Sequence, residues 1–170
     1  MKKFELTTDT KMFLGRKLFR IKALVSFGDV IVGDLGGYVE KEENLSHDGD
    51  AWVYGNAEVY GDAEVSGNAE VSGNARVSGN ARVYGDAWVY GNAWVYGNAD
   101  YLCFKGLGSS NRNTTFFKCK DGHIHVSCGC FSGNLAEFEA KVKETHGDSK
   151  YGKEYLACLD IVKIHFEVDV

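Results

Sequence analysis

Proline is absent from the 170 residues, and that absence by itself assigns no function. Cysteine is sparse, with five residues at no framework spacing. The opening stretch MKKFELTTDTKMFLG carries two early lysines but no apolar run behind them, so no secretory signal is expected. The cysteines are then expected as free thiols in a reducing cytoplasm. No apolar run approaches the roughly 20 residues of a membrane span. Positive charge is also short. Lys and Arg number 19 against 24 Asp and Glu, for a net charge of −5. That argues against general nucleic-acid binding and leaves room only for a local basic patch. The length suits one large domain, or a domain with an appendage, that folds without staples.

What the chain does have is a repeat. From Ala51 to Ala99 every sixth residue is Ala, Val follows two positions later, and Gly with Asn or Asp closes each hexad. The phase extends backwards in degenerate form through Gly49, Asn44 and Gly37 to about Gly33. Within a hexad, Ala-x-Val-x alternates apolar and polar, which reads as a short strand. Gly-Asn and Gly-Asp tolerate positive φ and read as corners. A short strand plus a fixed corner describes a coil with flat faces, Ala and Val inward and the variable positions outward.

This pattern resembles the left-handed β-helix family, in which an aliphatic residue is followed four positions later by a small one, as Val53 is by Ala57. The resemblance implies three hexads per triangular turn, a left hand and common assembly as trimers. Residues 18 apart then stack at about 4.8 Å. Trp52, Glu70 and Trp88 fall in one stack, and Glu58, Arg76 and Trp94 in another. Glu64, Arg82 and Asp100 form the third. Alternating charges in neighbouring strands help by about 0.2–1 kcal/mol each, which supports the spacing. Two faces carry outward aromatics, Trp52, Tyr54, Trp88 and Tyr90 on one and Trp94 and Tyr96 on the other. These residues are the expected oligomer interface, for a trimer or dimer. Shielding of the strands is the alternative reading.

The repeat is also similar to that of hexapeptide acyltransferases that use acyl-CoA. Such an enzyme needs a general base, usually His, on a loop between coils. The regular coil has no interruption and no His, and only His47 lies near it. The coil also has no Thr, which argues against ice binding. The segment from Leu18 to Val53, LFRIKALVSFGDVIVGDLGGYVEKEENLSHDGDAWV, resembles the opening of phage and prophage hexapeptide-repeat proteins and of bacterial acyltransferase-like proteins. Arg20, Ile21, Gly33, Asp34, Gly36, Gly37, Asn44 and Ser46 are among the matching positions. The resemblance implies a viral or mobile-element setting. The segment itself reads as strands closed by a Gly36-Gly37 turn that cap the open coil end.

The last seventy residues differ in kind. Asp121-Gly122 predicts a two-residue turn that pairs Cys119 with Ile124, Lys118 with His125 and Lys120 with His123. Phe117, Cys119, Ile124, Val126 and Cys128 then point inward, and Lys118, Lys120, His123 and His125 form a basic outer face. With Arg112, from the loop GLGSSNRN, these make an expected anion- or partner-binding surface. That loop also reads as an ordinary polar connection. In this register the histidines face away from the cysteines, so the cysteines read as small buried thiols and no metal is assigned. Asn134 caps a helix with a stripe of Leu135, Phe138 and Val142 that Gly147 stops. A second helix is predicted from Tyr151 to about Ile161, and VKIHFEV as a final strand.

The sequence therefore predicts a mainly β protein. It has an N-terminal cap (1–32), a left-handed parallel β-helix (33–99) and a small C-terminal α+β domain (100–170). The expected function is that of a non-enzymatic, cytoplasmic binding protein of phage or prophage type, with inhibition of a host defence system as one use. It would self-associate, take a host protein or a small anionic ligand, and need no cofactor. The alternatives are an acyltransferase relative and a virion structural component.

Overall fold

The computed structural model describes residues 1–168. Strands β1 (Phe4–Phe13) and β2 (Arg16–Ala23) form an antiparallel hairpin. Its turn residues Leu14 and Gly15 both take positive φ, 48° and 78°, the geometry that matches the twist of paired strands. β3 (Leu35–Val39) continues this sheet beside β2 and then pairs in parallel with the coil. Gly36 and Gly37, expected as a turn, lie inside β3. A Cβ on Gly36 would stand 2.6 Å from Ile21 Cγ1 and Val53 O, and one on Gly37 2.6 Å from the Ala57 carbonyl. The two glycines are there so that β3 can lie against the coil.

The repeat folds as a parallel β-solenoid. Its strands are β4 (Trp52–Val53), β5 (Glu58–Val59), β6 (Glu64–Val65), β7 (Glu70–Val71), β8 (Arg76–Val77), β9 (Arg82–Val83), β10 (Trp88–Val89) and β11 (Trp94–Val95). They stack in three parallel ladders: β4-β7-β10, β5-β8-β11 and β6-β9. Trp52 lies beside Glu70 and Trp88, Glu58 beside Arg76 and Trp94, and Glu64 beside Arg82. The offset is the 18 residues that the stacking of hexads requires, and the Arg76 Nε donates to Glu58 Oε2 at 2.9 Å across it. Every inward Ala and Val from Ala51 to Val95 is at most 1% exposed. Each buried Val contributes about 1.5–3 kcal/mol relative to an exposed one.

The first coil end is closed by the N-terminal segment. Trp52 is 1% exposed, with Phe27 5.4 Å and Phe4 6.2 Å from it by ring centroids. The buried Lys3 ammonium donates to the carbonyls of Ala51 (2.9 Å) and Gly49 (3.2 Å). Those carbonyls sit where no preceding coil exists to pair them, and a carbonyl left unpaired there would cost a lost hydrogen bond.

Backbone contacts divide the chain at Asn98 and Ala99. The second unit is an antiparallel sheet of β12 (Tyr101–Leu107), β13 (Arg112–Lys118), β14 (Ile124–Cys128) and β15 (Phe131–Asn134), in that order, followed by α1 (Leu135–His146) and α2 (Lys150–Phe166). Asn134 caps α1 as its sequence requires, accepting from the Glu137 amide at 2.9 Å while Glu137 returns the bond. Phe116, Ile124 and Val126 of the sheet form one core with Phe138 and Val142 of α1 and Leu159 and Val162 of α2. α2 runs through VKIHF, which was expected as a strand. Tyr155, Leu159 and Val162 recur at helical spacing and hold that stretch on the core.

The β13–β14 hairpin departs from its expected register by one residue. Phe117 pairs with His125, Phe116 with Val126 and Lys118 with Ile124. The loop has three residues, Lys120, Asp121 and Gly122. The Gly122 amide donates to Cys119 O at 2.9 Å, and Gly122 takes φ 90°. This is a type I turn with a glycine bulge, which Asp-Gly fits as well as the two-residue alternative. A slip of one residue exchanges the two faces of one strand relative to the other.

Candidate functional site

The C-terminal unit holds a cavity of about 270 Å³. Its polar lining comes from three places: Ser109, Ser110 and Arg112 at the β12–β13 loop, Cys130 beyond β14, and Lys141, Thr145 and His146 on α1. Phe131, Phe138, Val142 and Tyr155 supply an apolar wall. Three nitrogenous side chains, Arg112, Lys141 and His146, thus meet around one small cavity on a chain that is acidic overall.

Local backbone geometry places these groups. Asn111 turns the loop with φ 47°, left-handed for a residue that tolerates it. Arg112 then starts β13 opposite Leu107. Its guanidinium lies over Gly129, where a Cβ would come within 2.9 Å of Arg112 Cζ. Gly129 also takes φ 59°, so glycine serves both the turn and the arginine. The Tyr155 ring fills the space beside Gly108, and its hydroxyl donates to Leu107 O at 3.3 Å. Burial pushes the Tyr155 phenol up to about 12, with nearby Cys128 adding to the shift, so it stays a neutral donor. The Glu154 carboxylate accepts from the Gly108 amide at 2.8 Å. His146 stacks on Tyr155 at 5.5 Å. Lys141 pairs with Glu144 at 2.8 Å, an exposed ion pair that an incoming anion can exchange for its own contact.

The residues expected on one basic surface are not all together: His123 and His125 stay neighbours, with ring centroids 6.1 Å apart, but the others do not share their face. Arg112 lines the cavity. Lys118 stands opposite Ile124 and is exposed, and Lys120 is in the hairpin loop. His123 and His125 lie on the sheet face that carries Phe117 and Cys119, because the one-residue register change puts them there. His125 stacks on Phe117 at 5.2 Å. Lys141 and His146 were missed. The signal for Lys141 was its place beside Phe138 and Val142, at helical spacing, on the flank of the apolar stripe.

The Cys119 thiol and one ring nitrogen from each of His123 and His125 all lie within 4.8 Å of one another. The expectation that the histidines face away from the cysteines is therefore corrected for Cys119, and the cause is the three-residue loop. Burial pushes the Cys119 thiol up to about 11, and burial also lowers the His125 imidazole. The His123 hydrogen bond holds the Asp121 carboxyl below its usual range.

The expected aromatic interface is also partly corrected. Trp52 is inside the cap and offers no surface. Tyr54 is half-buried, and its phenol is pushed up to about 12 mainly by burial. Tyr90 and Trp94 are also half-buried, whereas Trp88 and Tyr96 are exposed. His47 stacks on Phe4 at 4.4 Å, and its Nδ1 accepts from the Lys3 amide at 3.2 Å.

Fold and site together define a β-solenoid repeat protein with a cavity-bearing α+β unit. A family model described as the YdcK beta solenoid repeat matches residues 69–85 and 75–91, so this part of the coil is similar to that repeat. No curated protein matches the chain. No described helix is long and apolar enough to cross a membrane.

Proposed function

We propose that the chain is a binding protein whose solenoid is a scaffold and whose C-terminal unit holds a small anionic ligand without transforming it. The observation that carries this reading is the convergence of Arg112, Lys141 and His146 with the Ser109 and Ser110 hydroxyls on one cavity of about 270 Å³. Arg offers a planar fork of donors suited to phosphate or carboxylate, and Lys a mobile charge. The apolar wall of Phe131, Phe138 and Tyr155 suits an organic portion beside the anion. The volume favours a small molecule over a peptide.

The resemblance of Leu18–Val53 to phage and prophage repeat proteins supports a phage-encoded origin and action in the host cytoplasm. Sequestering a small anionic signal of a host defence system is the use this reading favours. The reading extends to self-association of the solenoid through the outward Trp88 and Tyr96, which are 46% and 44% exposed. Mass spectrometry of small molecules released from the purified chain tests the ligand class. A phosphate- or carboxylate-bearing compound recovered from the full chain, and not from its Arg112→Ala variant, supports the proposal. Recovery that is equal from both places the ligand elsewhere.

A further inference from the structure

We propose that Cys119, His123 and His125 form a zinc-binding site on the β13–β14 hairpin. The three-residue loop makes Cys119 and His123 a facing pair, with the Cys119 amide donating to His123 O at 2.9 Å. Alternation along β14 then returns His125 to the same face. The donor atoms all lie within 4.8 Å of one another. Tetrahedral zinc ligands at about 2.0–2.3 Å from the ion stand roughly 3.3–3.8 Å apart. Side-chain shifts of about an ångström close that gap, and His123 is exposed enough to make them.

The surroundings favour a metal over a chance cluster. Metal-bound histidines usually engage a carboxylate, carbonyl or hydroxyl through the other ring nitrogen, which fixes the ring and its tautomer. His123 Nδ1 lies 2.5 Å from Asp121 Oδ1, and His125 Nε2 lies 2.9 Å from Ser132 Oγ. The Phe117 ring, stacked on His125, fixes it further. One thiolate and two imidazoles suit zinc. On binding, the Cys119 thiol gives its proton to solvent and the sulfur donates to the ion. Three protein ligands leave the fourth position to water or to an outside donor.

Titration of the full chain with Co²⁺, followed by competition with Zn²⁺ against a chromophoric chelator, tests this. One equivalent of Co²⁺ should bind with tetrahedral visible bands and a thiolate-to-cobalt charge-transfer band, and Zn²⁺ should displace it. Cys119→Ser should abolish the charge-transfer band. His123→Ala and His125→Ala should each weaken binding at least tenfold, and Asp121→Ala by about 10–100-fold. Cys103→Ser should change nothing. Circular dichroism checks that each variant folds. Should Cys119→Ser fail to fold, the exposed His123 still decides, since its removal leaves the sheet intact. Absence of a charge-transfer band in the wild type, its survival in folded Cys119→Ser, or unchanged affinity in His123→Ala overturns the proposal.

Discussion

Cys119 and His123 face each other across a three-residue loop, joined by the Cys119 amide and the His123 carbonyl at 2.9 Å. This single pairing decides which side chains share a face of the C-terminal sheet. It gathers Thr115, Phe117, Cys119, His123, His125 and Ser127 on one side. It leaves Phe116, Ile124, Val126 and Cys128 to pack under the helices. It also puts Lys118 on the opposite face from the histidines, whereas Arg112 and Lys141 line the cavity.

The solenoid corners have two reasons for glycine, and the two can be separated. Gly73 and Gly91 share φ 69°, but a Cβ on Gly73 would stand 2.9 Å from Gly91 N, whereas one on Gly91 meets no described atom within 4 Å. Both Gly→Ala variants carry the left-handed strain of about 1–3 kcal/mol. Gly73→Ala should lose more, because a neighbouring backbone must move as well. Thermal melts of the two variants check this, and equal losses would mean that close stacking of corners adds nothing.

Lys3 should make stability depend on pH. Burial lowers its ammonium from 10.5 to about 8, despite the nearby Asp50 and Asp48. The unfolded chain then binds the proton more tightly than the folded one. Stability should rise between pH 8 and 10.5 and be lowest, for this group, below 8. Lys3→Met removes the titration. The melting temperature of the wild type minus that of Lys3→Met should therefore increase across this window, and a flat difference would contradict it.

Self-association should depend on the exposed aromatics of the solenoid. Trp88→Glu together with Tyr96→Glu leaves the inward Ala and Val residues in place and puts charge on the outer surface. Light scattering of the wild type should show an oligomer and the double variant a smaller, folded species. A wild type that is monomeric at tens of micromolar rules the interface out.

The repeat was legible because each hexad states the same rule. Ala, Val and Gly recur at fixed places, so an error at one hexad is corrected by the next. The cap and the hairpin had no such redundancy. Gly36-Gly37 looked like a turn, because a sequence does not distinguish a glycine that bends from one that lets Ile21 and Val53 approach. Trp52 looked outward by its place in the hexad, but the N-terminal segment covers that first coil. Asp121-Gly122 fits loops of two or three residues, and the difference reverses the pairing of faces. The Asn134 cap, the Leu135–Phe138–Val142 stripe and the Gly147 stop were legible, since local chemistry alone fixes them. The cavity was not, because Arg112, Lys141 and His146 meet only when the β12–β13 loop and α1 are brought together.

Calorimetric titration of the full chain with inorganic phosphate, pyrophosphate and a nucleoside monophosphate, at low and high salt, tests the central claim most directly. At least one should bind with one-to-one stoichiometry and more weakly at high salt, since charge attraction is screened. Arg112→Ala and Lys141→Ala should each weaken that binding about tenfold or more, as expected for loss of a charge-assisted hydrogen bond of about 1.5–3 kcal/mol, with melting temperatures little changed. No heat from any of the three at low salt, or an affinity untouched by Arg112→Ala, would contradict an anion site in the C-terminal cavity.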